Sequence, residues 1–393
     1  MCVLVAATPL ASLAAPTDDE TIPPYREWDW RVTGLIQGDG MLATDQIPER
    51  VRDASLRRAR IGGRVDWGDA WRFRAGVDFS DGPELRELSL EYGTDWGSVE
   101  FGRVIEPFAL LQAGASSLPL MERPQPLGLA PGYGLGVAIN SGGEAWGLGL
   151  GYFRATKNDE TFGGREEDAL TGRVTFAAYR SEDSIVHVGA SASLREVSSS
   201  DDILRFVAIP ETVLLRGYDT DSPLLVSDGA PGYRLYGVEF AALHGPLMLK
   251  AEVLRADVDA VVNLDTFFDE GEFEFVSPSY SGYYVEASWT ITGELRDYSV
   301  RHGMFSGIRP QSALRRGGWG AFEVAARYSA TDLSDPKLGG ERGSVASAAL
   351  NWWPDPFMLV ALEGLHITEE AAEREESAEL LQLRVQLNFS YPY

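Results

Sequence analysis

Arginines at every second position of otherwise apolar stretches are the first chemistry this sequence offers. Arg58, Arg60 and Arg64 stand opposite Ala59, Ile61, Val65 and Trp67, and Arg72 and Arg74 interleave with Trp71, Phe73 and Ala75. Residues two apart share one face of a strand, so these five guanidinium groups would gather on one side of two adjacent strands. Each is a planar, permanently charged fork that binds a carboxylate or phosphate at two points. Two uses fit. The groups form a positive strip that meets anionic solutes, or they pair internally with Glu106, Glu122, Asp66, Asp78, Glu87 and Glu91. The two are compatible, because a basic wall facing an acidic loop makes a transverse field that orients polar solutes.

Other constellations carry less. His187, His244, His302 and His366 show no metal-ligand spacing and read as ordinary inner-face or turn histidines. Gly132, Gly134 and Gly136 lead into a strand rather than a helix, which points to closely packed backbone and not to a phosphate cradle. The acidic groups Asp257, Asp259 and Asp265, and Glu369, Glu370, Glu373, Glu375 and Glu376, read as solvated loops, with divalent-cation binding as the alternative. No Ser–His pair interrupts an apolar row. The expectation is therefore no catalytic residue, no metal ligand and no cofactor.

The elements that must hold the arginines are legible in the hydrophobic period. Leu381, Leu383, Val385, Leu387, Phe389, Tyr391 and Tyr393 alternate with Gln382, Arg384, Gln386, Asn388 and Ser390. The same period-two pattern recurs at 71–79, at 146–152, where the second face is all glycine, and at 283–291. The terminal run has one wholly apolar and one wholly polar face over the roughly 9–11 residues that a tilted membrane-spanning strand needs. Aromatic residues sit toward the ends of the apolar faces, as an interfacial girdle requires.

Composition agrees once alternation is allowed for. Hydrophobic residues make up 44% of the 393 and mean hydropathy is −0.14, and no apolar run reaches the roughly 18 residues of a helical span. In a transmembrane barrel, lipid-facing and lumen-facing residues average to such neutrality. A net charge of −25 argues against nucleic-acid partners. Residues 1–15 read as the apolar core and small-residue cleavage site of a secretory signal, shortened at its basic end, with Ser12 and Ala14 before the cut. Cys2 lies within it, so the mature chain would hold no thiol. Residues 16–25 then form a short periplasmic segment, and residues 26–393 the barrel.

Connections alternate in length. Short turns are expected at 68–70, 94–96, 141–144, 181–183, 244–246 and 354–356, and long loops at 38–53, 105–133, 156–168, 196–232, 257–279, 332–342 and 368–378. With both termini periplasmic the strand number is even and comes to about sixteen, provided that residues 293–317, rich in arginine and poorly alternating, are a periplasmic excursion outside the membrane.

With these elements placed, ordered blocks become recognisable: LRRARIGGRVDWGDAWRFRAGVDFSDG from position 56, then ELSLEYG, VEFGRVIEPFAL, PLMERPQPLGLAPGYGLGVAI, TGELRDYSVRHGMFSGIRP, GGWGAFEVAARYSATDL and the closing LRVQLNF. Together they resemble the phosphate-selective porin O and P family over nearly the whole mature chain. The resemblance implies a sixteen-stranded trimeric barrel in the outer membrane of a Gram-negative bacterium. It also implies that the third external loop, here 106–131 with Glu106, Glu122 and Arg123, folds inward to narrow the pore, and that anions are carried. The final strand, with Phe389, Tyr391 and Tyr393, resembles the signal read by the barrel assembly machinery. One departure stands out: the loop holds a single arginine and no lysine, and the lysine common in the family before EPF is Ile105.

The expectation is an all-β antiparallel barrel with an inward constriction loop, through which small polar or anionic solutes diffuse past Arg58, Arg60, Arg64, Arg72 and Arg74. Its partners are outer-membrane lipid and lipopolysaccharide. The alternatives are reduced or cation selectivity, or a surface binding or adhesive role centred on loop 196–232.

Overall fold

The computed structural model describes residues 28–112, 114, 117–155, 167–197, 204–226, 232–259, 261–263, 275–372 and 374–391. The proposed signal, the segment 16–25, Asp265, Glu373 and Tyr393 lie outside them. Sixteen strands form one closed antiparallel barrel: β1 (Trp28–Thr44), β2 (Ala54–Trp67), β3 (Trp71–Asp78), β4 (Glu84–Thr94), β5 (Gly97–Ile105), β6 (Tyr133–Gly142), β7 (Trp146–Ala155), β8 (Glu167–Arg180), β9 (Ser184–Val197), β10 (Gly232–His244), β11 (Leu247–Val258), β12 (Ser279–Thr290), β13 (Ala321–Asp332), β14 (Arg342–Asp355), β15 (Met358–Ala371) and β16 (Arg374–Tyr391). Each pairs with the next, and β1 pairs with β16 from Val32↔Tyr391 to Thr44↔Leu380. Closure leaves no unpaired sheet edge to the membrane.

Alternation decides which face each side chain takes. The outward rows expose large apolar groups, for example Val238 at 65%, Val253 at 57% and Val285 at 48%, an arrangement that requires hydrocarbon around it. Tryptophans and other aromatics ring the short-turn end: Trp28 stacks on Trp67 with centroids 5.3 Å apart, and Trp71 lies 4.7 Å from Tyr92. At the seam, the Phe389 ring covers Gly34, where a Cβ would collide with it, and Tyr391 lies 5.8 Å from Trp30. Among the described residues no helix is long and apolar enough to cross a membrane; the strands do so. Replacing Val285, mid-strand on the outer face of β12, with Arg is expected to destabilise the barrel by about 2–4 kcal/mol. The change would appear as a lower unfolding midpoint in lipid, and an unchanged midpoint would contradict this orientation.

The short turns fall where the alternation places them. Two loop boundaries do not. Residues 38–44 continue β1, and β15 and β16 pair up to Ala371↔Arg374, so the expected loop 368–378 is a strand hairpin. Above the hydrocarbon the ladder can persist with polar residues on both faces, which removes the alternation but not the pairing. The β3–β4 connection, residues 79–83, is also short, although it stands at the long-loop end.

Inside, the barrel is filled unevenly. The inward loop (106–132), the external loop after β9 and the segment 291–320 after β12 all enter it. Phe108 and Leu129 of the inward loop pack with Phe206 and Leu225 of the external loop against Leu235, Leu254 and Tyr280. Leu214 and Tyr218 lie on Leu365, Ile367 and Leu380. The segment 291–320 corrects its expected place: it starts at the periplasmic end but sends Phe305 into the lumen with Leu110 and Ile185, and Ile308 onto Trp353 and Met121. Its poor alternation reflects irregular chain packed on other protein rather than chain exposed to the periplasm.

Candidate functional site

The inward loop is clamped along the inner wall by buried ion pairs and hydrogen bonds. At its start, Glu106 receives Arg195 Nη1 at 2.8 Å and Thr171 Oγ1 at 2.5 Å. The Leu110 amide donates to Glu239 and Glu252 at 3.0 and 2.8 Å. Farther along, Asn351 Nδ2 reaches the Pro119 carbonyl at 2.6 Å, and the Met121 amide donates to Glu363 at 2.7 Å. The tip is held hardest: Glu122 accepts from Arg57 at 2.8 Å, Arg58 at 2.8 Å and Arg384 at 2.7 Å, while Arg384 also chelates Asp39 at 2.6 Å. Burial alone would raise the Glu122 carboxyl, but the three guanidiniums overcome it and hold the group well below the usual carboxylate range.

Glycines let the loop and wall touch. A Cβ on Gly149 would lie 2.6 Å from Pro107 Cβ, and one on Gly134 would lie 2.8 Å from Phe153 Cβ and 3.0 Å from Glu106. Gly149 of the all-glycine face of β7 and Gly134 of the GxGxG run are thus where the start of the inward loop lies against the wall, as close backbone packing predicts.

The sequence-derived arginines all face the lumen. Arg60 pairs with Asp78 at 2.6 Å, Arg64 with Asp66 at 2.8 Å, Arg72 with Asp66 at 2.6 Å, and Arg74 with Glu91 at 2.5 Å and Glu100 at 2.7 Å. Arg58 differs, being 1% exposed beneath the Glu122 tip. Of the acids expected to neutralise this strip, Glu106 instead pairs with Arg195 of β9, and Glu87 makes none of the described pairs. Alternation missed Arg57: the register slips between Gln37 and Gly38, leaving Arg57 as a bulged residue that turns inward. Arg195, Arg327 and Arg384 were legible only as polar-face residues. A lone acid followed by Arg123 in a loop otherwise without charge after Glu106 was the available signal for the clamp.

Exposure divides the inner wall into two sectors. Arg173, Arg195, Arg327 and Arg384, on β8, β9, β13 and β16, are 6% exposed or less, whereas Arg60, Arg64, Arg72 and Arg74, on β2 and β3, retain 24–37%. Two cavities of about 310 and 530 Å³ lie along the open sector and share Glu87 and Tyr133. Arg86 lies over the Tyr133 ring at 4.8 Å. Arg123 is within electrostatic reach of Arg60, and burial with that neighbour pushes it down to about 10 against the pull of Glu122.

A closed sixteen-strand barrel with an apolar outer band, aromatic girdles and a polar interior narrowed by an inward loop is a porin-type barrel of the outer membrane. The family model "Phosphate-selective porin O and P" matches residues 33–389, and the chain belongs to that family. It is 28% identical over 320 residues to an uncharacterized protein of Caulobacter vibrioides, covering 77% of this chain but only 60% of the relative's length. To Porin O of Pseudomonas aeruginosa it is 23% identical, over 74% of this chain and 71% of that one. Among solved structures, the anion-selective porin from Comamonas acidovorans matches with a TM-score of 0.59 at 10% identity, covering 92% of this chain and 100% of that one. The outer membrane channel DcaP of Acinetobacter baumannii matches at 0.56 and 12%, covering 92% and 97%. At such identities the structures speak for the fold alone.

Proposed function

We propose that the protein is a passive channel for small polar and anionic solutes, and that they cross in the open sector, between the inner faces of β1–β7 and the clamped loop. The carrying observation is the unequal wetting of the wall: Arg60, Arg64, Arg72 and Arg74 of β2 and β3 keep water contact while Arg173, Arg195, Arg327 and Arg384 are sealed under inserted chain. Arg60, Arg64, Arg72 and Arg74 are the solute-contacting groups in this reading, with Arg123 at the constriction and Arg58 serving as an anchor. Transport needs no cofactor and no chemical step. The family resemblance supports a homotrimer, export by the 1–15 signal, and use of Phe389, Tyr391 and Tyr393 in barrel assembly.

A second reading, weak or cation-leaning selectivity, rests on the pairing of Arg60, Arg64, Arg72 and Arg74 each with an acid, which leaves the strip little net charge. A surface adhesive role finds less support, because residues 204–226 of the loop it relied on pack inside the barrel mouth. Stepwise conductance in a planar bilayer, followed by the reversal potential across a KCl gradient, tests the proposal. The expected sign is anionic, and Arg72→Gln with Arg74→Gln should move it toward zero. Absence of conductance steps would end the channel reading, and a cationic potential would select the second one.

A further inference from the structure

We infer that Arg301 and His302, at the tip of the segment 291–320, form a second charged constriction on the periplasmic side of the inward loop, where anionic solutes are screened again. The inference rests on the channel reading above and names a determinant of that channel separate from the β2–β3 arginines and the loop.

The backbone of the tip is built into the wall. Arg173 donates to the carbonyls of His302 and Gly303 at 2.8 and 3.0 Å, and is itself paired with Glu239 at 2.6 Å. Glu239 also binds His187 at 2.8 Å, and His187 shares a proton with the Tyr298 hydroxyl at 2.6 Å, so the segment is latched at Tyr298 as well as at its tip. The wall makes room for it: a Cβ on Gly147 would stand 2.4 Å from the Arg301 carbonyl oxygen. Gly303 has φ +58 and lies against Thr175, where an added Cβ would be 2.7 Å away, so the sharp turn at the tip needs glycine twice over.

What the tip presents is different from what holds it. Arg301 and His302 are exposed to the lumen and border the 310 Å³ cavity. Across that cavity stand Arg74 of β3, Glu87 and Glu91 of β4, Glu100 of β5 and Arg173 of β8. Any solute leaving along the β3–β5 wall must pass between those groups and the two side chains of the tip. Desolvation by the surrounding wall, with Arg301 and Arg74, lowers the His302 pKa against the pull of Glu91 and Glu100, so the imidazole carries its charge only at pH below the ordinary imidazole range. In this way the constriction holds one permanent and one acid-dependent positive charge.

The test is bilayer recording of the full chain and of Arg301→Gln and His302→Gln, with reversal potentials taken at about pH 8 and about pH 5.5, on either side of the ordinary imidazole value. Arg301→Gln is expected to lower the chloride-to-potassium permeability ratio by at least about twofold at both pH values. The unmodified channel should become more anion-selective on acidification, and His302→Gln should lose part of that rise. What remains of the rise in the variant does not come from the imidazole. Both side chains are exposed, so barrel assembly, checked by heat-modifiable migration, should survive. If the unmodified channel conducts and both variants match it at both pH values, the second constriction is refuted while the channel reading stands. An unmodified protein that does not conduct overturns both.

Discussion

Glu122→Gln is expected to free the tip of the inward loop and raise single-channel conductance while lowering the stability of the barrel by about 3–5 kcal/mol, the usual cost of removing one partner from a buried ion pair. The size follows from what is left behind. Arg58 and Arg384 are 1% and 2% exposed at the side chain, and without the carboxylate only Asp39 remains beside Arg384 to balance them and Arg57. Neutralising the excess should restore part of the loss, so Glu122→Gln with Arg58→Met is expected to be more stable than the sum of the single changes predicts. Simple additivity, together with unchanged conductance, would show that the clamp does not hold the loop. The pH dependence has a defined sign. A carboxyl held below its ordinary value of 4.5 contributes stability that is fully present above that value and fades as pH falls through the lowered one. The clamp should therefore be intact across the neutral range and open only in strong acid.

Arg327→Met is the second large effect. This guanidinium is fully buried and joins three segments: it pairs with Glu211 of the external loop, with Glu286 of β12 at 3.0 Å, and donates to the Glu122 carbonyl at 2.9 Å. Its loss leaves Glu211 without its cation, and Glu286 with only Lys250, inside a water-poor region, again at about 3–5 kcal/mol. The external loop should then lift from the barrel mouth, so proteolytic cleavage within residues 204–226 should accelerate in folded, detergent-held protein. Adding Glu211→Gln should recover stability but not the docking of the loop. Protection of 204–226 equal to that of the unmodified protein would show that apolar packing of Leu214, Leu215 and Tyr218 suffices. Because exchanging a whole buried pair for apolar residues is often neutral, the value of these pairs lies in where they place the loops rather than in net stability.

How far the sequence could be read depended on the range of the interactions. The apolar rows of β3, β7, β12 and β16 are set by alternation within a single strand, so their existence, facing and short turns were legible. The inward orientation of Arg60, Arg64, Arg72 and Arg74 followed from the same rule, since a charge facing lipid would cost about 2–4 kcal/mol. Arg57 escaped because one bulged residue reverses the parity that the rule depends on. The loops carry no such code. Whether 291–320 or 204–226 lay outside the barrel or within it turned on Arg173 and Arg327 meeting chain more than a hundred residues distant.

The sequence by itself determined a closed sheet wetted by lipid on one side and polar on the other, because alternation is a local property and the membrane penalises every violation of it. Only the tertiary structure decided which arginine meets which acid, and hence which part of the lumen stays open. Electrostatic pairing inside a barrel depends on proximity across the lumen, and three inserted segments with no periodic pattern set that proximity.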